Sequence, residues 1–199
     1  MIRTAAASVL MSAAVSALAL VASPAHAAPV AYDADPAHTF PSFEADHMGG
    51  LSRWRGKFDR SKGTITMDRE AGTGTVEITV DMGSGDFGLA ALDKMAKGPM
   101  LFDTAKYPKA VFKGTLAEFK DGLPTQAPGE LTLHGVTQPL TLEIRHAKCM
   151  PHPMLKREVC GADVYATIDR EKFGMPAGKD YGFDMAVDLR IQVEAIARK

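Results

Sequence analysis

Apolar and polar residues alternate along most of this chain. In the stretch from Gly129 to Ile144, Leu131 and Leu133, then Leu140, Leu142 and Ile144, fall at every second position. A period of two marks a strand with one buried face. His134-Gly135-Val136-Thr137-Gln138-Pro139 separates the two runs and reads as a turn. Folding about that turn sets Leu133 against Leu140 and Leu131 against Leu142, with all five apolar residues on one face.

The alternation recurs before and after this hairpin. Tyr32 to His47 reads as a broken opening strand, because Pro36 and Pro41 cannot donate to a ladder. Trp54, Gly56 and Phe58 share one face of the next strand, Ser61-Lys62-Gly63 reads as the turn after it, and Ile65 and Met67 continue. Val76, Ile78, Val80 and Met82 make a cleaner strand. The period then changes. Leu89, Leu92 and Met95 are spaced by three, which predicts a helix capped by Asp86 and stopped at Gly98-Pro99. Phe102 follows in a second turn or short helix. Strands resume with Ala110, Phe112, Gly114 and Leu116, return with Ala162, Val164, Ala166 and Ile168, and close with Phe183, Met185, Val187, Leu189, Ile191, Val193 and Ala195.

About eight strands at hairpin-like spacing, with one helical insert, predict an all-β fold: an antiparallel barrel or sandwich rather than alternating α and β units. The closing run spans roughly 43 Å at ~3.3 Å per residue, about twice a usual strand, so a barrel built from it is tall. An eight-stranded barrel is filled by its side chains or holds one small ligand. The inward set mixes large aliphatics with the small residues Gly56, Gly114, Ala110, Ala162, Ala166 and Ala195, which predicts space. The near absence of charge on that set predicts an apolar content.

Composition narrows the classes. The chain has 199 residues with 23 Lys+Arg and 24 Asp+Glu. Met1-Ile2-Arg3, the Ala-rich apolar run to Ala22 and the small residues around Ala25 and Ala27 read as a secretory signal over residues 1–27, leaving one domain over residues 28–199 in the periplasm. Removal of Arg3 leaves 22 cations against 24 anions, a net charge of −2, which offers no long-range pull towards nucleic acid. Cys149 and Cys160, an even and close pair in an exported chain, are expected to form a disulfide. Ile144 and Cys149 have opposite parity while Val164 and Cys160 share it. If both cysteines point the same way, a bulge is required between Arg145 and Lys148. The alternative is a redox or copper site, since Cys149, His152 and Cys160 are soft ligands. His38 and His47, with Asp35 and Asp46 beside them, read as histidines hydrogen-bonded to backbone at a strand break rather than as a metal or proton-handling site, and Arg53, Arg55 and Lys57 as a solvated strand face rather than a rim for an anionic lipid head group. No nucleophile triad, phosphate-cradling loop or nucleotide fingerprint is present, so the chain is read as a non-enzyme.

An ordered set of residues then carries a resemblance. Asp35, His38, Phe43 and His47 are followed by Gly56 and Phe58, by Ser84-Gly85-Asp86, Asp93 and Phe102-Asp103, and by Tyr107-Pro108 and Phe112. Gly129, Leu131, Leu133 and Gly135-Val136-Thr137-Gln138-Pro139 come next, then Arg170, Phe173-Gly174 and the strand from Asp188 to Glu194. This set resembles the YceI-like family of exported polyisoprenoid-binding proteins, over about 160 residues; the segment from Cys149 to Cys160 stands outside its pattern. The resemblance implies an elongated lipocalin-like antiparallel β-barrel around a long apolar cavity that holds an isoprenoid quinone, polyprenyl lipid or other long-chain lipid. It implies no further cofactor, a transient membrane or membrane-protein donor or acceptor, and a monomer or homodimer. The residues expected to line the cavity are Trp54, Phe58, Val76, Ile78, Val80, Leu92, Phe102, Phe112, Leu131, Leu133, Leu142, Val164, Ala166, Val187, Leu189 and Ile191. The signal reading predicts that exported protein begins at Ala28; N-terminal sequencing checks this, and retention of Arg3 contradicts it.

Overall fold

A computed structural model describes residues 28–199; the expected signal segment, residues 1–27, lies outside the described residues. Among the described residues, eleven strands join into one antiparallel sheet. They are β1 (Val30–Ala34), β2 (Ser42–His47), β3 (Ser52–Phe58), β4 (Ser61–Asp68), β5 (Thr73–Asp81), β6 (Gly85–Asp86), β7 (Lys109–Leu116), β8 (Gln126–Leu133), β9 (Val136–Pro151), β10 (Glu158–Asp169) and β11 (Ala186–Ala197). Their order is β1-β4-β5-β7-β8-β9-β10-β11-β2-β3-β6, and β1 also pairs with β11. That second pairing closes β1, β4, β5, β7, β8, β9, β10 and β11 into an eight-stranded barrel, while β2, β3 and β6 continue the wall from one rim. The expected architecture is the one found.

The opening strand is broken as its prolines require. β1 pairs with the C-terminal end of β11 through Tyr32↔Ala197 and Ala34↔Ala195. β2 pairs with the same edge nearer the start of β11, through Phe43↔Leu189 and Ala45↔Val187. Pro36 and Pro41 occupy the interruption, which Asp35 and Phe40 bridge by donating from their backbone N–H groups to Glu194 O and Gln192 O at 2.8 and 3.0 Å. The next strand breaks in the same place: β3 pairs with β2, and β4 with β1. This corrects the expected turn at Ser61-Lys62-Gly63, because these residues already belong to β4, opposite Val80, Thr79 and Ile78. Gly63 marks a close approach instead: a Cβ there would meet Glu77 O at 2.1 Å.

The hairpin between β8 and β9 also departs from the expected register. Leu133 pairs with Val136 and Leu131 with Gln138, so the turn is the two residues His134-Gly135 rather than six. Both have left-handed φ, 52° and 77°, as a tight hairpin turn requires. The shorter turn adds ladder pairs and packs Val136 against the core. The register difference is even, so every side chain keeps the face that alternation assigned to it.

The bulge is where the cysteine parity put it. Arg145 pairs with Asp163 and Lys148 with Gly161, so His146 and Ala147 together oppose Ala162. His146 has φ 53°, the left-handed conformation that takes up the extra residue. Ile144 and Cys149 thereby both pack against the same core cluster, and Cys149 is bonded to Cys160.

The insert forms one helix, α1 (Ala90–Lys97), ending at Gly98 as expected. Its cap differs. Leu89 holds the N-cap position without a side-chain hydrogen bond. Asp86 accepts from Gly88 N in the preceding loop, and Asp93 Oδ1 reaches back to accept from Phe87 N at 2.8 Å. Of the apolar stripe, Leu92 is half-buried while Leu89 is 62% exposed.

Two apolar clusters pack the barrel interior. Phe58, Met82, Ala110, Leu133, Ile168, Phe173, Met175 and Val187 form one; Tyr32, Met67, Phe112, Leu116, Ala127, Ala195 and Ala197 form the other, with the two cysteines against it. The inward glycines do not supply the expected empty space. A Cβ at Gly56 would lie 2.6 Å from the Phe87 ring, and one at Gly114 would lie 2.6 Å from Pro128 O. Their missing side chains admit a neighbour instead of a ligand. The disulfide closes a loop of about 12 residues, so replacing both Cys149 and Cys160 by Ala is expected to cost roughly 3 kcal/mol. Urea unfolding reads this as a lower midpoint; an unchanged midpoint, or free thiols in denatured unreduced protein, contradicts it.

Candidate functional site

The barrel encloses a cavity of about 610 Å³. Every expected lining position reaches its wall except Ala166. Ala166 lies on the inward face but directly opposite Leu189. Paired residues stand only about 5 Å apart, and of this pair Leu189 is the one that lines the cavity. The wall includes residues that alternation marked but that were not selected, such as Leu140, Ile144, Ala162 and Val193. It also includes Met175, Ala177, Gly178 and Tyr181. These come from the loop before β11, where no periodicity announces a face. Tyr32 is a further unexpected member, because its strand is too short and interrupted to show a pattern.

An aromatic clamp holds the insert on the barrel. Phe43 of β2 meets Phe87 edge-on at 5.7 Å and Phe102 at 6.3 Å. Phe58 of β3 meets Phe102 at 5.7 Å, and Phe87 stacks on Phe102 at 6.2 Å. Such pairs are each worth about 0.5–1.5 kcal/mol beyond area burial. They fix α1 so that Leu92, Met95 and Ala96 form part of the wall.

The cavity reaches the surface where wall residues are also exposed. Trp54, Met95, Met100 and Tyr181 line it and are 39%, 48%, 71% and 83% exposed. They lie on β3, on and just after α1, and in the loop before β11, and these three segments converge. Asp46 at the end of β2 accepts from Asp184 N at 3.0 Å, and from Gly49 N and Gly50 N. These hydrogen bonds, that from Asp184 first, hold its carboxyl below the usual range. Arg170 donates to Met175 O and Ala177 O, both at 2.6 Å, and so ties the mouth loop to the end of β10. Burial pulls its guanidinium pKa down.

A polar knot lies at the disulfide end. Tyr32, 1% exposed, donates its hydroxyl to Glu158. Arg69 Nη2 donates to Glu158 at 2.6 Å and to Cys160 Sγ at 3.4 Å. Burial, then the Glu158 carboxylate, pushes the Tyr32 pKa up to about 12, so it stays a neutral donor. The soft-ligand set is not assembled. The two sulfurs are bonded to each other. His152 Nδ1 accepts from the backbone N–H groups of Met154 and Leu155, both at 3.2 Å, so it organises a turn.

The remaining candidates lie outside the barrel. His38 Nδ1 is 2.7 Å from Asp35 Oδ2 and 3.9 Å from Glu194, and both carboxylates, Asp35 first, raise its pKa. Its partner is thus a carboxylate rather than backbone. Arg53 pairs with Asp188 and Glu44, Arg55 with Glu44, and Lys57 with Asp59, which makes them the solvated face that alternation implied.

Comparison with known proteins agrees with this geometry. Protein YceI of Escherichia coli is 32% identical over 169 residues, covering 84% of this chain and 86% of that protein. A UPF0312 protein of Vibrio campbellii is 28% identical over 175 residues, covering 87% of this chain and 90% of that one. Among solved structures, BcnA of Burkholderia cenocepacia superposes with a TM-score of 0.65 at 21% identity, covering 81% of this chain and 98% of its own. A polyisoprenoid binding domain from Saccharophagus degradans, implicated in plant cell wall breakdown, superposes at 0.59 with 17% identity, covering 85% and 99%. At these identities the two structures show the shared fold. The YceI-like domain matches residues 32–195, nearly the whole of the described barrel, and the chain belongs to the YceI-like family.

Proposed function

We propose that this protein is a periplasmic carrier that holds one long-chain lipid, an isoprenoid quinone or polyprenyl lipid, inside the barrel. The observation that carries the reading is the cavity itself: an aliphatic and aromatic wall on every strand of the closed ring and on β2 and β3, opening at a mouth between β3, α1 and the loop before β11. The name of the Saccharophagus degradans domain, polyisoprenoid binding, supports the same ligand class. Binding here needs burial and no bond-making step, so the protein is read as a carrier rather than a catalyst.

The volume sets the length of chain enclosed. At ~30 Å³ per water-sized group, the cavity takes about twenty carbon-sized groups. Each CH₂ moved from water into it contributes ~0.8 kcal/mol, roughly fourfold in Kd, against the ordering cost of the chain. A chain of that length lies inside with its head at the mouth, beside Met95, Met100 and Tyr181.

Affinity is expected to rise steeply with isoprenoid length to about twenty carbons and then to level off; a titration series of increasing chain length reads it. No binding by any isoprenoid or fatty acid, and no lipid in an organic extract of purified protein, defeats the proposal. Wall substitutions separate cavity from core. Ala162→Phe, on the wall, is expected to reduce lipid bound per protein with little change in thermal unfolding. Ala166→Phe, off the wall and opposite Leu189, is expected to overpack and cost about 1–3 kcal/mol. Equal losses of stability at both sites would mean that the space beside Ala162 is already filled.

A further inference from the structure

Nearly every polar side chain on the cavity wall is already engaged within the protein. Thr39 Oγ1 donates to Glu194 O at 2.9 Å and Ser42 Oγ to Phe40 O at 3.2 Å. Tyr32 is held by Glu158, Arg170 by two carbonyls, and Asp46 by three backbone N–H groups. The pair His47 and Trp54 is different. Both line the cavity. Among the described residues, neither the His47 imidazole nor the Trp54 indole N–H has a hydrogen-bond partner; their contacts are ring contacts.

Those contacts fix the imidazole in place. His47 stacks on Trp54 with centroids 4.5 Å apart and planes 12° apart. Phe183 meets it edge-on at 5.5 Å and 84°. Held between two rings, it loses little freedom when it makes a hydrogen bond, which is what a recognition group requires. Its position at the end of β2, beside the partly exposed Trp54, puts it near the mouth, where the head of a lipid rests once its chain is buried.

The same surroundings select the chemistry of that head. Asp46 is adjacent in the chain, and Asp184 donates its backbone N–H to it. Of the cations at this end, Arg170 already points both of its terminal nitrogens at backbone carbonyls. A phosphate or carboxylate beside His47 would meet the fixed Asp46 carboxylate, with Arg170 committed to carbonyls and Arg53 to Asp188 and Glu44. An uncharged oxygen needs only a donor or an acceptor, and His47 supplies either, with Trp54 adding a donor.

We propose that His47 and Trp54 form a head-group subsite that recognises an uncharged oxygen, a hydroxyl or ring carbonyl, on a lipid whose chain occupies the cavity. This rests on the lipid-binding reading above. It orients the ligand with its head at the mouth and makes His47 the specificity-determining residue between oxygenated isoprenoids and hydrocarbons of equal length. Lys148, at the bulge opposite Gly161, is the competing position: it lines the cavity, forms no ion pair among the described residues, and suits an anionic head.

The test titrates the wild-type protein with three probes that share one saturated or isoprenoid twenty-carbon skeleton: a hydrocarbon, the prenyl alcohol and the prenyl phosphate. The alcohol is expected to bind about five- to tenfold more tightly than the hydrocarbon, as one added hydrogen bond gives, and the phosphate no better than the hydrocarbon. His47→Leu is expected to remove most of the preference for the alcohol, read as the ratio of alcohol to hydrocarbon affinity within the same variant. His47→Gln restores part of it, and Trp54→Phe keeps the stack but loses part of the preference. Thermal unfolding of each variant reports whether it folds. Equal binding of alcohol and hydrocarbon by the wild type overturns the subsite. So does a His47→Leu variant that weakens all three probes alike, which would make His47 a packing residue. Strongest binding of the phosphate, lost in Lys148→Ala, overturns it by placing the head at the bulge. Hydrocarbon binding without discrimination defeats only the subsite, whereas failure of all three probes defeats the lipid reading with it.

Discussion

The structure depends on one edge of β11. That edge is shared: its C-terminal end pairs with β1 and closes the barrel, and its N-terminal end pairs with β2 and carries the wall outward. A barrel abolishes exposed sheet edges only if it closes completely. Here the closure rests on the short ladder Tyr32↔Ala197 to Ala34↔Ala195. Nearby side chains reinforce it. Arg198 donates to Asp33 and to Thr64 at 2.6 and 2.8 Å, and Tyr32 is buried against the barrel wall with its hydroxyl on Glu158. The proline-bearing interruption between β1 and β2 follows from the same geometry. One strand cannot pair with the barrel and also flare from its rim, so the chain breaks where Pro36 and Pro41 cannot donate.

The flare creates the mouth. β2, β3 and β6 leave the ring together, and the gap between them and the barrel is covered by α1 and by the loop before β11. The covering is held by aromatic contacts rather than by ladder hydrogen bonds: Phe43, Phe58, Phe87 and Phe102 meet ring to ring. Gly56 is part of this arrangement, because only a residue without a side chain lets the Phe87 ring settle on β3. The opposite end is organised differently. There the bulge at His146, the disulfide and the Tyr32–Glu158–Arg69 knot fix the chain through polar and covalent contacts. The two ends of the barrel are thus built differently, one from ring contacts and the other from polar and covalent ones.

What alternation could reveal was set by distance along the chain. The faces of β5, β8, β9, β10 and β11 were legible, because a strand presents every second side chain to one side whatever it pairs with. The even register difference at His134-Gly135 shows why this reading is robust: it changed each partner and no face. The bulge was legible for the same reason, since a parity conflict between Ile144 and Cys149 has one local remedy. Loop contributions were not legible. Met175, Ala177 and Tyr181 join the wall through the turn of a loop that has no period, held by Arg170 carbonyl contacts that sequence spacing does not encode.

By itself the sequence determined the strand faces, the apolar character of the interior, the break at the prolines, the helical insert and the pairing of Cys149 with Cys160. Each follows from covalent geometry or from composition within a short segment. The tertiary structure alone decided where space remains inside the barrel. The small residues Gly56 and Gly114 pointed to openings, yet neighbouring rings and backbone occupy their places. Ala166, paired with Leu189, does not reach the lumen, while Ala162 on the same strand face does. Whether a small side chain leaves a void depends on what packs against it from elsewhere in the chain, and close packing fills every gap that a neighbour can reach. The stacking of His47 on Trp54, which leaves the polar atoms of both without a protein partner at the cavity wall, is of the same kind. The two residues are diagonal neighbours in the β2–β3 hairpin, and only the closed sheet and its flare place that hairpin on the cavity wall.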